Sequence, residues 1–316
     1  MTNKSMKVIH RVAYVSALVL AMATQPLSAQ DMPLVNAQPG PTFGERPDNG
    51  LTLPTDVAIG IEGQVYVVDS GRHRVVYYNA TGTPLGHFGS EGKADGELQG
   101  PVGIATGPKG DVYIADRGNN RLQVFDALGQ FERSLALAEE GAAVTPVDVA
   151  VDARGRSLFV TANNSHRVLS FDRKGKLDAG WGGKGKEQGQ FNYPATLALD
   201  AAGNVLVVDV MNFRVQVFDA EGTATAMFGA LGAKPGTLVR PKGVAVDSGG
   251  RVFVSDSYMG VVQVFTSVGE FVGVLATNGE PIRFEAPTGL AFAAGRLFVT
   301  DMLAGKVFSY DIGGVQ

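Results

Sequence analysis

The chain has no cysteine, which removes a disulfide framework, a thiol nucleophile and a cysteine metal cage. Histidine is scarce: after His10 near the start, only His73, His87 and His166 remain. Charged side chains are 18% of residues against 45% apolar ones, which excludes a disordered polyelectrolyte and implies a large core. Long apolar runs are also missing. The stretch Val12 to Ala23 is cut short by Thr24, Gln25, Pro26 and Ser28, below the ~20 residues that span a bilayer.

That short run follows Lys4, Lys7 and Arg11 and precedes the small residues of "PLSAQ", so residues 1–29 read as a signal peptide cleaved after Ala29. The expected location is exported, periplasmic or extracellular, with no integral membrane segment after cleavage. Cleavage removes three basic residues and no acid. The remaining 24 Lys plus Arg face 31 Asp plus Glu, a formal net charge of −7, which excludes nucleic acid as an expected partner.

What the chain has in excess is glycine, with 42 copies spread along its length, about twice the usual ~7% share. The glycines punctuate a repeat. Pro54, Pro101, Pro146, Pro194, Pro241 and Pro287 recur at spacings of 47, 45, 48, 47 and 46, and four residues after each comes an alanine: Ala58, Ala105, Ala150, Ala198, Ala245 and Ala291. Large apolar residues flank the alanine, then a glycine turn ("DARG", "DAAG", "DSGG") leads to a second strand such as "VYVVD" or "VFVSD". A third strand ("RLQVFD", "RVQVFD") and a weaker fourth, often ending in aromatic plus glycine, complete the unit. Four short antiparallel strands per ~46 residues is the pattern of a propeller blade. The alanine is expected where converging blades leave little room, since overpacking costs about 1–3 kcal/mol.

The sequence therefore predicts an all-β, six-bladed propeller occupying residues 30–316 as a single domain, with blades starting near the six prolines. The sixth copy ends after its third strand, "KVFSYD", whereas "PTFG" looks like the end of a fourth strand with no blade before it. A segment of about residues 35–44 is expected to pair with Lys306 to Asp311, completing the last blade and closing the ring.

At "ADRGNNRLQVFD" (Ala115 to Asp126), "TANNSHRVLSFD" (Thr161 to Asp172) and "VDVMNFRVQVFD" (Val208 to Asp219) the chain resembles the NHL repeat propellers, in particular exported bacterial ones. The resemblance covers about residues 40–312. It implies the fold strongly and the function weakly, because that family includes protein-binding, RNA-binding, sensor and enzymatic members.

Aspartate at the end of strand two recurs five residues before a cation: Asp69 with Arg74, Asp116 with Arg121, Asp209 with Arg214, Asp301 with Lys306. So regular a feature is expected to brace loops rather than to catalyse. The peptide-amidating lyases, which share this fold class, are expected to place zinc-binding histidines beside the blade-opening proline. Here those positions hold Thr55-Asp56, Val102-Gly103, Val147-Asp148, Ala195-Thr196, Lys242-Gly243 and Thr288-Gly289, so the ligands are missing.

The loops between strands two and three differ most. In copies one to three they are polar, with Ser70, Arg72 and His73, then Arg117, Asn119 and Asn120, then Asn163, Asn164 and His166. In copies four to six they carry Val210, Met211 and Phe213, then Tyr258 and Met259, then Met302 and Leu303. On one face of the disc, Met211, Phe213, Tyr258, Met259, Met302 and Leu303 form the candidate contact surface for a protein partner. The favoured reading is an exported, non-enzymatic binding or scaffold propeller that uses no cofactor and meets its partner in the envelope or outside the cell. The alternative is a cation-dependent, lactonase-like hydrolase or lyase at the channel mouth. There Asp56 and Asp148 occupy equivalent positions and are the candidate ligands for a divalent cation, unless each caps a local turn.

Overall fold

In a computed structural model the described residues are 32–45 and 50–313. The predicted signal peptide lies outside them. The elements among the described residues are strands and three single 3₁₀ turns.

The first unit shows how sequence becomes blade. Pro54–Ile59, Val65–Asp69, Arg74–Tyr78 and Pro84–Phe88 pair in succession as an antiparallel meander. The second strand, "VYVVD", is buried at all five positions because it is covered on both faces, which explains why it reads as a continuous apolar run. The outermost strand alternates partly covered and exposed residues. Turns such as "DARG" close on the aspartate: Asp152 Oδ1 accepts the Ser157 N–H at 2.8 Å, and Gly155 takes the left-handed φ of +64°.

The innermost strands follow one another around an axis in chain order, and Pro287–Ala293 returns to Pro54–Ile59. Between each unit and the next lies an apolar cluster of one design. Ala58 packs in a cluster with Ile104, Ala105 with Val149, Ala150 with Leu197, Ala198 with Val244, Ala245 with Leu290, and Ala291 with Val57. The recurrent alanine is thus small because it faces a large residue of the neighbouring unit. The tightest axial positions belong instead to Gly103, Gly243 and Gly289, where a Cβ would collide with the adjacent inner strand.

The expectation of six separate blades is corrected by the sheet pairing. Four four-stranded sheets stand as separate blades, from the units opening at Pro54, Ile104, Pro146 and Pro194. The strands of the last two units belong to one nine-stranded sheet. The cause is the N-terminal strand Leu34–Phe43, which pairs on both sides. Ala37 to Phe43 runs antiparallel to Val307–Ile312, with a bulge between Pro39 and Thr42. Leu34 to Asn36 runs parallel to Val274–Ala276 of the preceding unit. The segment is therefore more than a clasp for the last unit: it welds two units into one sheet. Phe43 is fully buried and meets Tyr78 of the first unit and Phe298 of the last, at ring separations of 5.6 and 5.9 Å.

The recurrent Asp–Arg pairs lie within a unit and hold the loop that enters it. Asp116 Oδ2 takes the Arg121 Nε–H at 2.8 Å, its Oδ1 takes the Gln99 N–H, and Arg121 Nη2 donates to the Ala94 and Glu97 carbonyls. Asp209 and Arg214 repeat this with Asn192, Glu187 and Gln190. In these two units the bracing role surrounds both charges with hydrogen bonds, the condition under which buried ion pairs persist. Lys306 departs from the pattern and reaches Glu45 at 3.4 Å.

Candidate functional site

The inner strand and the loop after strand two meet at one end of each unit, because Pro54 pairs with Asp69 and Asp69 with Arg74. The loop is a 3₁₀ turn ended by a residue in the left-handed region: His73 (φ +52°), Asn120 (φ +53°), Phe213 (φ +57°) and, in the third unit, His166 (φ +56°). That end of the disc carries the candidate site.

Two of the histidines have structural work there. His73 Nδ1 accepts the Gly100 N–H at 2.9 Å, and His166 Nδ1 accepts the Tyr193 N–H at 3.0 Å. Each pins the residue preceding the next inner strand and requires a neutral imidazole with its proton on Nε2. Burial, helped by Lys184, lowers the His166 pKa, which suits that role, while Asp209 opposes it. His87 lies on an outermost strand opposite Val76. Among the described residues no group of three or more His, Asp or Glu is placed to hold a metal.

Asp56 and Asp148 are brought together at the axis. Both are buried, 6% and 4% exposed. Asp56 Oδ2 accepts the Ile104 N–H of the next unit at 3.0 Å, and Asp148 Oδ2 accepts the Leu197 N–H of its own next unit at 2.9 Å. Asp148 Oδ1 takes the Val149 N–H at 2.8 Å. The intervening unit has Gly103, without a side chain to separate them, and the two carboxyls are within hydrogen-bonding reach of each other. Burial raises both pKa values, Asp148 to about 7, and the Asp148 charge pushes Asp56 further up. Their Oδ2 atoms tie neighbouring inner strands together rather than cap turns. The pair does not fit a divalent cation, which needs six or more oxygens turned toward it; three of these four oxygens already face N–H donors.

Above the carboxyl pair, a pocket of about 460 Å³ opens at the channel mouth. Its floor comes from residues following the blade-opening prolines, Val102, Val147, Ala195 and Lys242, and its walls from Arg117, Asn163, Tyr193, Val210 and Met211. Burial, with Arg240 nearby, lowers the Lys242 pKa. Tyr193 stands on the rim at a left-handed φ of +60° directly before Pro194, a conformation disfavoured twice over. The His166 bond and an edge-on ring contact at 4.7 Å hold it there. A larger groove of about 540 Å³ lies on the rim beside Thr42 to Glu45 and Pro84 to His87. Among the described residues its one arginine is Arg74, which is engaged by Asp69 at 2.9 Å.

The proposed contact residues spread over this face. Met211 lines the pocket and is 48% exposed; Tyr258 and Leu303 are 40% and 62% exposed. Phe213 and Met302 are half-buried, and Met259 packs against Met32, Val261 and Val274. Sequence reasoning passed over Lys242 and Tyr193 as site residues and took Arg117 only as part of a polar loop. Their signal was present as a departure from the repeat: among the positions equivalent to Lys242 and Arg117, these two alone are charged.

The fold and the axial site define a β-propeller. The NHL repeat model matches residues 51–78, 98–125, 191–218 and 238–265, four of the repeat units. The chain carries NHL repeats on a β-propeller fold. Similar solved structures include virginiamycin B lyase from Staphylococcus aureus (15% identity, TM-score 0.62, 85% of this chain and 83% of that one). A gluconolactonase from Xanthomonas campestris is also similar (17%, TM-score 0.63, 88% and 97%), as is hydrazine synthase from Kuenenia stuttgartiensis (10%, TM-score 0.59, 84% and 97%). Likeness at these identities establishes fold. No curated protein matches the chain.

Proposed function

We propose that this propeller is a hydrolase or lyase acting on a small cyclic ester at the mouth of its channel. The observation that carries the reading is the pocket of about 460 Å³ with Lys242 in its floor, a concave site of metabolite size holding a titratable group of displaced proton affinity. The lyase and gluconolactonase among the structural neighbours support this class over a scaffold. In hydrolysis, water adds across the ester C–O bond. Lys242 in its amine form takes one proton from that water and returns it to the departing alkoxide, giving the open-chain hydroxy acid. Val147 and Ala195 in the floor and Val210 in the wall offer an apolar surface to the body of the ester. No step runs through a metal.

The test is turnover of a panel of lactones by the purified protein, followed as acid release. Activity is expected to rise with pH through the lowered Lys242 pKa and to vanish in Lys242→Met with the melting temperature unchanged. Absence of turnover across the panel, or full activity in Lys242→Met, overturns the reading.

A second reading, protein docking, has its own support in the exposure of Tyr258 and Leu303 on the same face. The signal-like composition of residues 1–29 supports, for either reading, a site of action outside the cytoplasm.

A further inference from the structure

The repeat supplies its own controls. The residue after the strand-two aspartate position is Ser70, Arg117, Asn163, Val210, Ser257 or Met302, and the residue after the opening proline is Thr55, Val102, Val147, Ala195, Lys242 or Thr288. Each set contains one cation and no acid, and both cations line the same pocket. The chain as a whole is acidic, so positive charge here runs against composition. Several other arginines of this fold are spent on carboxylates, among them Arg74 on Asp69, Arg121 on Asp116, Arg214 on Asp209, Arg251 on Asp247 and Arg296 on Asp311. Among the described residues neither Arg117 nor Lys242 has an ion-pair partner within 4.0 Å.

Their placement is complementary. Arg117 belongs to the second unit and Lys242 to the fifth, and the inner strands of the third and fourth units lie between them. The stretch between is apolar: Val147, Ala195, Val210 and Met211. Two like charges facing one cavity repel each other, and an anion entering it relieves that repulsion. The exposed Arg117 guanidinium is planar and unspent, the geometry that grips a carboxylate with two parallel hydrogen bonds.

We infer that the molecule bound in this pocket is an amphiphilic organic anion whose carboxylate lies on Arg117 and whose apolar body crosses Val147, Ala195 and Met211 toward Lys242. This deepens the reading of the pocket as a small-molecule site. On the lactone reading, the substrate carries its carboxylate at the end remote from the ring that Lys242 opens.

The test is equilibrium binding of non-reactive probes by calorimetry: 3-phenylpropionate, octanoate and suberate, each against its amide. Acids are expected to bind with Kd below about 1 mM and at least about tenfold more tightly than the amides. That preference should weaken with salt and disappear in Arg117→Gln. The control Arg72→Gln, in the first-unit loop, should retain it. Equal binding of acid and amide, no binding of any acid, or an unchanged preference in Arg117→Gln overturns the inference. Because the probes do not react, failure to turn over lactones leaves this result standing. Turnover of neutral lactones with no acid preference would remove this inference and leave the proposed activity intact.

Discussion

The four separate blades and the nine-stranded sheet solve the same problem differently. In the first four units the axial positions are Asp56, Gly103, Asp148 and Thr196, and polar side chains tie neighbouring inner strands together. Asp56 reaches Ile104, Asp148 reaches Leu197, and Thr196 Oγ1 donates to the Lys242 carbonyl at 2.6 Å. In the last two units those positions are Gly243 and Gly289, too closely packed for a side chain. There Ser255 Oγ still links the inner strands by donating to the Thr288 carbonyl at 2.7 Å, and a further tie lies at the periphery, where Leu34–Phe43 pairs with both units. The axial carboxyls are confined to one half of the ring and the shared strand to the other. The half secured by carboxyls also carries most of the pocket.

The strongest way to break this comparison is to remove the shared strand. Deleting residues 32–44 leaves two strands with unpaired edges and empties the site of Phe43. Thermal unfolding by circular dichroism should fall by more than about 15 °C, or the chain should fail to fold. Phe43→Ala alone removes a buried ring from the seam, at about 3–5 kcal/mol, or about 10 °C. A deletion that melts like the intact protein would mean the last two units hold together unaided.

The axial half responds to pH instead. Asp56 and Asp148 have folded pKa values raised from 3.8, so the folded state holds a proton that the unfolded chain has released. Their contribution is therefore fully present below pH 3.8 and is lost as pH rises through about 7. Asp56→Asn keeps an acceptor for the Ile104 N–H and offers Asp148 a permanent donor. From about pH 4 to about pH 8, denaturant midpoints should fall less in Asp56→Asn than in the parent. Equal slopes would show that the pair does not share its proton.

The smallest effect separates two methionines on the same face. Met259→Ser lies in the joined sheet against Met32, Val261 and Val274 and should lower the melting temperature by about 3 °C. Met211→Ser, exposed in the pocket wall, should leave it within about 1 °C. Similar losses from both would place Met211 in the packed interior.

The blade pattern was legible because it depends on local signals repeated many times: proline, alanine four residues on, glycine turns and apolar strands. The antiparallel pairing of the N-terminal segment was legible too, since "PTFG" matches the strand ends of other units. Its second, parallel pairing with Val274 to Ala276 was not, because no repeat copy supplies a precedent for it. The site was legible in fragments: Asp56 and Asp148 stood out by register, and Met211 by its loop. Lys242 and Arg117 each looked like one polar residue among many.

By itself, then, the sequence determines the repeat, the order of strands and the braced Asp–Arg loops. These follow from spacing along the chain and from residue types that permit few alternatives. Tertiary structure alone decides that two buried carboxyls meet over Gly103, that two cations face one pocket, and that one strand joins two units. Closing the ring brings together residues that are far apart in the chain. Burial and proximity then change what those side chains can do.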